Sequence, residues 1–362
     1  MPGRRGAAPT DFSLCRRCQS NDPTITVRTE PLCDACFCKY VATKVVKRME
    51  TFRVRHSEPG YERTLLLPLS FGAGSTTLLH LLSEHLKGQV EKTRRTGFKL
   101  HLLHIADGSR STASPTVEAL LEKVKQRYPE HSYSISHLSD ALALEDVRTL
   151  LGNDSKDDES HSLEGSDSDK FERLIASVGS ATSRADVFQL LKLKLIVHFA
   201  KSKDCEAILW GDSTTKLAER TLAETAKGRG FALPWTVADG ESPHGMQLYY
   251  PMRELLSKEI ASFASIVDPP LDELILRNEA RVAVSTRNTT IDDLMKQYFE
   301  SVERDYPSIV ANVVRTTGKL QAASLSEIEK QCELCEMPLD GQAPERSRLC
   351  YGCIRALPQA AG

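Results

Sequence analysis

The apolar and polar positions along the chain predict strands that alternate with helices. The pattern is clearest in residues 64–86, where a continuous apolar run over Leu65–Leu69 is followed by leucines at helical spacing from Leu78 to Leu86. The first half therefore predicts a buried strand and the second half a helix. The sequence Ser-Phe-Gly-Ala-Gly-Ser joins them at residues 70–75.

The same alternation continues through the central region. Further strands are predicted over residues 98–106, 133–138, 205–210 and 246–250. Further helices are predicted over residues 115–128, 140–151, 183–201, from 215 to about 227, 253–264, and 291–314 with an interruption at Pro307. Strands that alternate with helices predict an α/β fold with a doubly wound parallel sheet.

The loop after the first strand is a candidate nucleotide-binding site. In a strand, loop and helix unit, loop amides and the positive end of the helix dipole point to the edge of the sheet where a phosphate binds. The candidate residues are Ser70, Gly72, Gly74 and Ser75. A tight strand-to-helix turn without a ligand explains the glycines equally well, and no Lys follows the second glycine as a Walker A loop requires. Residues 211–215 form a second turn of this kind, for which a capped helix is the simpler interpretation.

Residues 152–170 interrupt the alternation with a stretch of acidic residues and serines that contains one large apolar residue. Such a composition does not bury enough apolar surface to order itself. We therefore expect a disordered acidic insertion on the surface, within a single α/β domain.

Composition indicates an intracellular protein. The formal charge is −2 over 362 residues, so a polyanion partner would need a local basic patch. No apolar run approaches the roughly 20 residues of a membrane span, and the N-terminus has no apolar segment for a signal peptide. We expect a soluble protein in a reducing compartment. For its ten cysteines, metal binding is therefore a better interpretation than disulfide formation.

Eight of the cysteines form two arrays of identical spacing, each with two C-x-x-C pairs separated by fourteen residues. The ligands are Cys15, Cys18, Cys33 and Cys36 in the first array, and Cys332, Cys335, Cys350 and Cys353 in the second. Four thiolates in two knuckles suit a closed, tetrahedral structural zinc site, so we predict two zinc ions. One site built from a knuckle of each array, and unligated or redox-active pairs, are the alternatives. Cys38 is a spare that is either a buried thiol or a replacement for Cys36.

A basic helix is predicted over residues 37–52, with apolar side chains on one face and lysines on the other. Lys44, Lys47 and Arg48 are candidate RNA-phosphate contacts, although a solvated helix face explains them equally well. His101, His104, His131 and His137 have no ligand spacing. We interpret these four histidines as structural.

These features divide the chain into three parts. We predict an N-terminal zinc ribbon over 1–40, an α/β domain over 41–325 and a C-terminal zinc ribbon over 326–362.

The combination of two four-cysteine ribbons with a strand, glycine loop and helix resembles the pyrophosphatase-loop tRNA thiolation proteins. Residues 15–45, 68–82, 211–230 and 332–340 carry the resemblance. It implies an adenine-nucleotide hydrolase-like fold, a cytoplasmic location and a heterodimer with a paralogous catalytic subunit. That partner would use ATP to activate the wobble uridine of lysine, glutamine and glutamate tRNAs. Its sulfur would come from a thiocarboxylated ubiquitin-related modifier.

The chain departs from the pattern of the catalytic members at two places. Their loop reads Ser-Gly-Gly-x-Asp-Ser, whereas here Phe71 stands for the first glycine and Gly74 for the aspartate. Catalytic members also carry a C-x-x-C ahead of the long helix and a third cysteine later. Residues 180–184 hold no cysteine here, and Cys205 is alone in a predicted strand.

Three hypotheses for the function follow. The favoured one is a non-catalytic, tRNA-binding subunit of the thiolating heterodimer. The others are an independently active ATP-dependent tRNA sulfurtransferase and a zinc-dependent scaffold of another complex.

Overall fold

The structure is a computed structural model that describes residues 13–58, 60–106, 116–152, 167–276, 289–339 and 341–357. Most of the predicted acidic insertion, residues 153–166, lies outside these ranges. Its last four residues, 167–170, are not disordered as predicted but belong to a helix over Asp167–Ser177. In the described part of the chain, no helix is both long and apolar enough to cross a membrane.

The described strands form two sheets. They are β1 (Ile25–Val27), β2 (Glu30–Leu32), β3 (Arg63–Pro68), β4 (Phe98–Ala106), β5 (Ser132–His137), β6 (Ala207–Leu209), β7 (Gly240–Ser242) and β8 (Met246–Tyr249). Strands β1 and β2 make an antiparallel hairpin, and the other six form one sheet in the order β5-β4-β3-β6-β8-β7. All neighbours in the larger sheet are parallel except β7, which runs antiparallel to β8.

The described α-helices connect these strands and extend beyond them. They are α1 (Asp34–Arg48), α2 (Ala73–Thr93), α3 (Val117–Arg127), α4 (Glu145–Gly152), α5 (Asp167–Ser177), α6 (Ala181–Ser202), α7 (Thr214–Ala226), α8 (Leu233–Thr236), α9 (Ser257–Ile266), α10 (Ile291–Asp305), α11 (Pro307–Thr317) and α12 (Tyr351–Ala356). Helices α10 and α11 separate at Pro307, as predicted. The predicted α/β architecture with a doubly wound parallel sheet is confirmed.

Alternate side chains of β3 enter two different cores. Leu65 and Leu67 belong to the cluster that includes α1, α2 and α9, whereas Leu66 belongs to the cluster with α6 and α7. All three are fully buried. Both faces of the sheet are therefore covered, which explains why β3 reads as a continuous apolar run rather than an alternating one.

The strand order reverses between β3 and β6. The chain passes from β3 to β4 and β5 on one side, and then returns to place β6 and β8 on the other. In open α/β sheets the loops at such a switch point frame the ligand crevice. The loops that follow β3 and β6 are the two that sequence analysis singled out.

The two cysteine-rich segments pack against the α/β domain at different places. Helix α1, which follows the first ribbon, contacts α2 and α9. The second ribbon packs against Trp235 and Ala232. From this ribbon, Glu336 also accepts hydrogen bonds from His244 (2.7 Å) and Lys194 (2.5 Å).

Candidate metal centres and the altered loop

The first cysteine array forms a compact ligand cluster. The sulfurs of Cys15, Cys18, Cys33 and Cys36 all lie within 4.8 Å of one another. The first pair lies ahead of the β1–β2 hairpin, and the second pair stands at the start of α1, so the hairpin brings the two pairs together. Burial opposes ionisation of Cys15, but backbone hydrogen bonds from Cys18 and Cys33 outweigh it and lower the pKa of that thiol to about 6. A thiolate is the form that binds metal.

The second array closes on itself in the same way. Cys332, Cys335, Cys350 and Cys353 are all buried, and their sulfurs lie within 4.8 Å of one another. The sulfurs of Cys335 and Cys350 are 3.8 Å apart, and the Cys350 amide donates to the sulfur of Cys332 (3.4 Å). Each array therefore builds its own four-thiolate site, and the interleaved arrangement is not formed. Four sulfurs without an open position fit structural zinc.

The two remaining cysteines stay outside these clusters. Cys36 occupies the fourth position of the first site, so Cys38 does not replace it. Burial raises the pKa of Cys38 and raises that of Cys205 to about 11. Both are therefore protonated near neutral pH.

The loop after β3 bonds to itself. The Ser70 amide donates to Ser75 Oγ (3.3 Å), the Gly72 amide donates to Ser70 Oγ (3.4 Å), and the two hydroxyls are 3.1 Å apart. Ser75 Oγ also donates to the Gly72 carbonyl (3.3 Å). Both serine hydroxyls and the amides of Ser70 and Gly72 are thus used within the loop.

Gly74 allows the start of α2 to touch the turn after β6. A Cβ built on Gly74 would collide with the Gly211 carbonyl oxygen, and one on Gly211 would lie 2.6 Å from the Ser75 amide nitrogen. Real Cβ atoms essentially never approach so closely. An aspartate does not fit at position 74 unless the turn after β6 moves.

Phe71 is turned away from the loop opening. Its backbone is in the left-handed region (φ 56°), its side chain is fully buried, and its ring centroid lies 5.0 Å from that of His104. A bulky ring at position 71 would hinder a phosphate if it faced the opening, but this ring is buried. The ring anchors the loop in the core, and the loop is closed by its own hydrogen bonds.

A cavity of about 600 Å³ remains at the carboxyl edge of the sheet, beside the loop. One wall carries buried charges that sequence analysis did not connect. Arg229 donates to Asp186 (2.6 Å) and Glu224 (2.7 Å), and Arg220 donates to Asp212 (2.6 Å). Burial opposes the charge on Arg229, yet Glu224 and Asp186 raise its pKa. An acidic residue near the first turn of an apolar helix could have pointed to a buried charge at Asp186. Its partner Arg229, however, is remote in sequence.

The candidate RNA contacts on α1 face different surroundings. Lys44 donates to Glu254 (2.6 Å) and Arg48 is paired with Asp239, whereas Lys47 is exposed. Burial alone would raise the pKa of Glu254, but the hydrogen bond from Lys44 lowers it. Two of the three basic residues therefore hold α1 against the α/β domain.

The four histidines have hydrogen-bonding partners in the protein. They are His101 with Ser134 (2.9 Å), His104 with the Leu69 carbonyl (2.8 Å), His131 with Ser83 (2.7 Å), and His137, whose backbone amide donates to Asp140 (2.8 Å). The side-chain contacts support the interpretation of His101, His104 and His131 as structural, whereas His137 is exposed and its bond is made by the backbone amide.

A solved structure shares the fold. The U34-tRNA thiolase NcsA from Methanococcus maripaludis, determined with its [4Fe-4S] cluster, matches with a TM-score of 0.57 and 16% identity, covering 88% of this chain and 89% of that one. The fold and the two cysteine clusters define an α/β protein that shares the fold of this thiolase and carries two potential metal-binding ribbons.

Sequence relatives narrow this class to one family. A protein from Phaeosphaeria nodorum named cytoplasmic tRNA 2-thiolation protein 2 is 45% identical over 99% of this chain and 98% of its own length. A protein of the same name from Aspergillus clavatus is 36% identical over 99% of both chains. The family model described by that name matches residues 290–348. The chain belongs to the cytoplasmic tRNA 2-thiolation protein 2 family, and tRNA 2-thiolation is the process in which it takes part.

Proposed function

We propose that the chain is the non-catalytic, tRNA-binding subunit of a cytoplasmic heterodimer that thiolates the wobble uridine of lysine, glutamine and glutamate tRNAs. The paralogous partner uses ATP and carries the chemistry. A thiocarboxylated ubiquitin-related modifier supplies the sulfur. The zinc-loaded ribbons of this chain contribute to the surface that holds tRNA.

The closed loop is the observation that carries this proposal. Its two serine hydroxyls and the amides of Ser70 and Gly72 are used in internal bonds, and the backbone of Gly211 lies against the start of α2, where a phosphate would meet the helix dipole. Residues 180–184 supply no thiol, and Cys205 is buried with a raised pKa. A buried, protonated thiol is a poor nucleophile. These features favour a supporting subunit over an independent sulfurtransferase.

Copurification tests the proposal. Tagged chain isolated from cells should carry a paralogous subunit and tRNA, identified by mass spectrometry and RNA sequencing. The isolated chain should show no ATP hydrolysis stimulated by tRNA. Turnover by the isolated chain would favour the sulfurtransferase, and recovery of neither tRNA nor a paralogue would favour a scaffold of another complex.

A further inference from the structure

The cavity at the carboxyl edge of the sheet has a lining that suits a planar ring. The chain contains two tryptophans, Trp210 and Trp235, and both line this cavity together with Tyr250. Aliphatic side chains such as Leu103 and Leu248 complete its apolar part. Its volume of about 600 Å³ is within the range of small-molecule sites in proteins, which extends over roughly 300–1,000 Å³.

The wall of the cavity also holds unsatisfied polar groups. The indole nitrogen of Trp210 and the hydroxyl of Thr236 are buried and have no hydrogen-bond partner within the described residues. Leaving a buried donor unpaired costs about 1–3 kcal/mol. Both atoms have almost no accessible surface, so a ligand would pair with them only after the side chains turn towards the cavity.

Two lysines stand at the mouth of the cavity. Lys216 on α7 and Lys296 on α10 line it while their side chains are 55% and 59% exposed. Each has a carboxylate neighbour on its own helix, Glu219 at 3.3 Å and Glu300 at 3.9 Å. The Lys296–Glu300 pair is exposed and contributes little. Glu219 is buried, but the Lys216 side chain itself is exposed and remains open to an anion.

The hydrogen bonds within the loop favour a phosphate at the mouth of the cavity over one at the loop. A nucleoside triphosphate would compete for the Ser70 amide and for the Ser70 and Ser75 hydroxyls, which are bonded to one another. The lysines provide positive charge at the mouth instead, where the phosphate of a strand that continues into solvent would lie. A base inside with a backbone phosphate outside is the arrangement found when single-stranded RNA is bound by stacking.

We infer that this cavity receives one unstacked nucleotide of an RNA strand, with its base against Trp210 and its phosphate at Lys216 and Lys296. The inference rests on the proposed function, because tRNA is the RNA that the complex would present. The bound nucleotide is a different one from the uridine that the partner modifies. This chain then positions the tRNA by a base contact as well as by charge.

Fluorine NMR of the reconstituted heterodimer tests the inference. Fluorotryptophan is incorporated into this chain alone, so that the two signals come from Trp210 and Trp235, and Trp235→Phe assigns them. An anticodon stem–loop RNA should shift the Trp210 signal, whereas a fully paired duplex of the same length and ATP should not. A shift produced equally by the duplex or by ATP overturns the inference.

Affinity measurements supply matched variants. Trp210→Leu should weaken stem–loop binding roughly 5- to 150-fold, the range of losses for one stacked base. The double variant Lys216→Ala, Lys296→Ala should reduce the salt slope by about 0.7 units, because both lysines contact one phosphate of a single strand. Lys125→Ala removes an exposed lysine with the same spacing to its partner Glu122 and should change neither quantity. The double variant alters only exposed side chains, so it keeps the test valid if Trp210→Leu fails to fold.

The outcomes separate this inference from the proposed function. Full tRNA binding and thiolation without a shift of the Trp210 signal, or a double variant that behaves like Lys125→Ala, would overturn the cavity assignment alone. A heterodimer that binds no tRNA would overturn both.

Discussion

Gly74 changes the loop in two ways, of which the sequence indicates only one. Gly74 stands where the catalytic members carry aspartate, and from sequence this is only the loss of a carboxylate. In the structure the missing side chain is the condition for contact between α2 and Gly211. The loss of the carboxylate and the closure of the loop are therefore one structural change.

We predict that Gly74→Ala destabilises the protein by about 1–3 kcal/mol, because the new methyl group would displace the turn after β6. Gly88→Ala is the matched control on the same helix, since its Cβ would meet nothing within 4 Å. That change should be neutral or stabilising by up to about 1 kcal/mol, from helix propensity alone. Denaturant unfolding of both variants gives the comparison, and equal stability changes would show that the contact with Gly211 is not tight.

Ser75→Ala tests the loop from the functional side. It removes the hydroxyl that accepts from Ser70 and donates to Gly72, so a stability loss of about 1 kcal/mol is expected. Thiolation of tRNA in cells should change much less than after the corresponding substitution in the partner. Equal losses in the two subunits would mean that this loop takes part in the chemistry.

A buried histidine makes stability depend on pH. His80 is 7% exposed and shares a hydrogen bond with the Tyr128 hydroxyl (3.0 Å), and burial lowers its pKa from 6.5 to about 4. The unfolded chain therefore takes up this proton first, so stability is complete above pH 6.5 and falls as the pH drops towards 4. His80→Asn should reduce that fall without abolishing it, because burial also lowers the pKa of His85, His101 and His131.

Urea unfolding at pH 7 and pH 5 measures this effect. His56→Asn changes an exposed histidine and should follow the wild-type pH dependence. If the two variants lose the same stability between the two pH values, His80 is not a source of the dependence.

At the scale of elements, the sequence predicted the strands and helices whose residues have a clear local pattern. It missed those that form only through contacts with residues remote in sequence. Strand β4 has the predicted bounds, Phe98–Ala106, because nine residues of mostly apolar character leave little choice. Strand β7 was missed, since Gly240–Ser242 has no alternating pattern and is a strand only through pairing with β8. The helix predicted over 140–151 begins later, at Glu145, after a 3-10 segment at Leu138–Ala143.

The sequence likewise predicted one part of the candidate sites and missed another. Identical cysteine spacing predicted both four-cysteine clusters, because the two cysteines of a knuckle are close in sequence. The link between Asp186 and Arg229, and the contact of Gly74 with Gly211, join residues that only the folded sheet brings together. No spacing rule reports such contacts.

The ribbons should each hold one structural zinc ion. Metal analysis of purified protein should give two zinc ions per chain. Cys18→Ser and Cys335→Ser should each remove one ion and destabilise the corresponding ribbon, because metal-binding free energy in such sites is folding free energy. Cys38→Ser alters a cysteine outside both clusters and should keep both ions. A content near zero, or iron in place of zinc, would contradict the assignment.

At the scale of the whole molecule, a net charge of −2 means that a polyanion must be held by a local surface. The N-terminal ribbon and the outer face of α1 provide one. Arg16, Arg17, Arg28 and Lys47 are exposed there. Arg17 and Lys44 also lie over the ring of Tyr40, at 5.0 Å and 5.8 Å from its centroid. We therefore propose that the exposed members of this group, rather than Lys44 and Arg48, make most of the contacts to tRNA.

Two sets of substitutions separate these roles in the reconstituted heterodimer. Arg16→Ala, Arg17→Ala and Lys47→Ala together should weaken tRNA binding and reduce the salt slope by about 2 to 3 units, at roughly 0.7 to 0.9 per lost contact. Lys44→Ala with Arg48→Ala should leave the slope nearly unchanged and lower the unfolding temperature, because it releases Glu254 and Asp239 from α1. Binding measured across salt concentrations, with zinc content as the check on folding, decides between them. A loss of slope confined to the second set would assign the RNA contact to Lys44 and Arg48, two of the three residues that the sequence predicted.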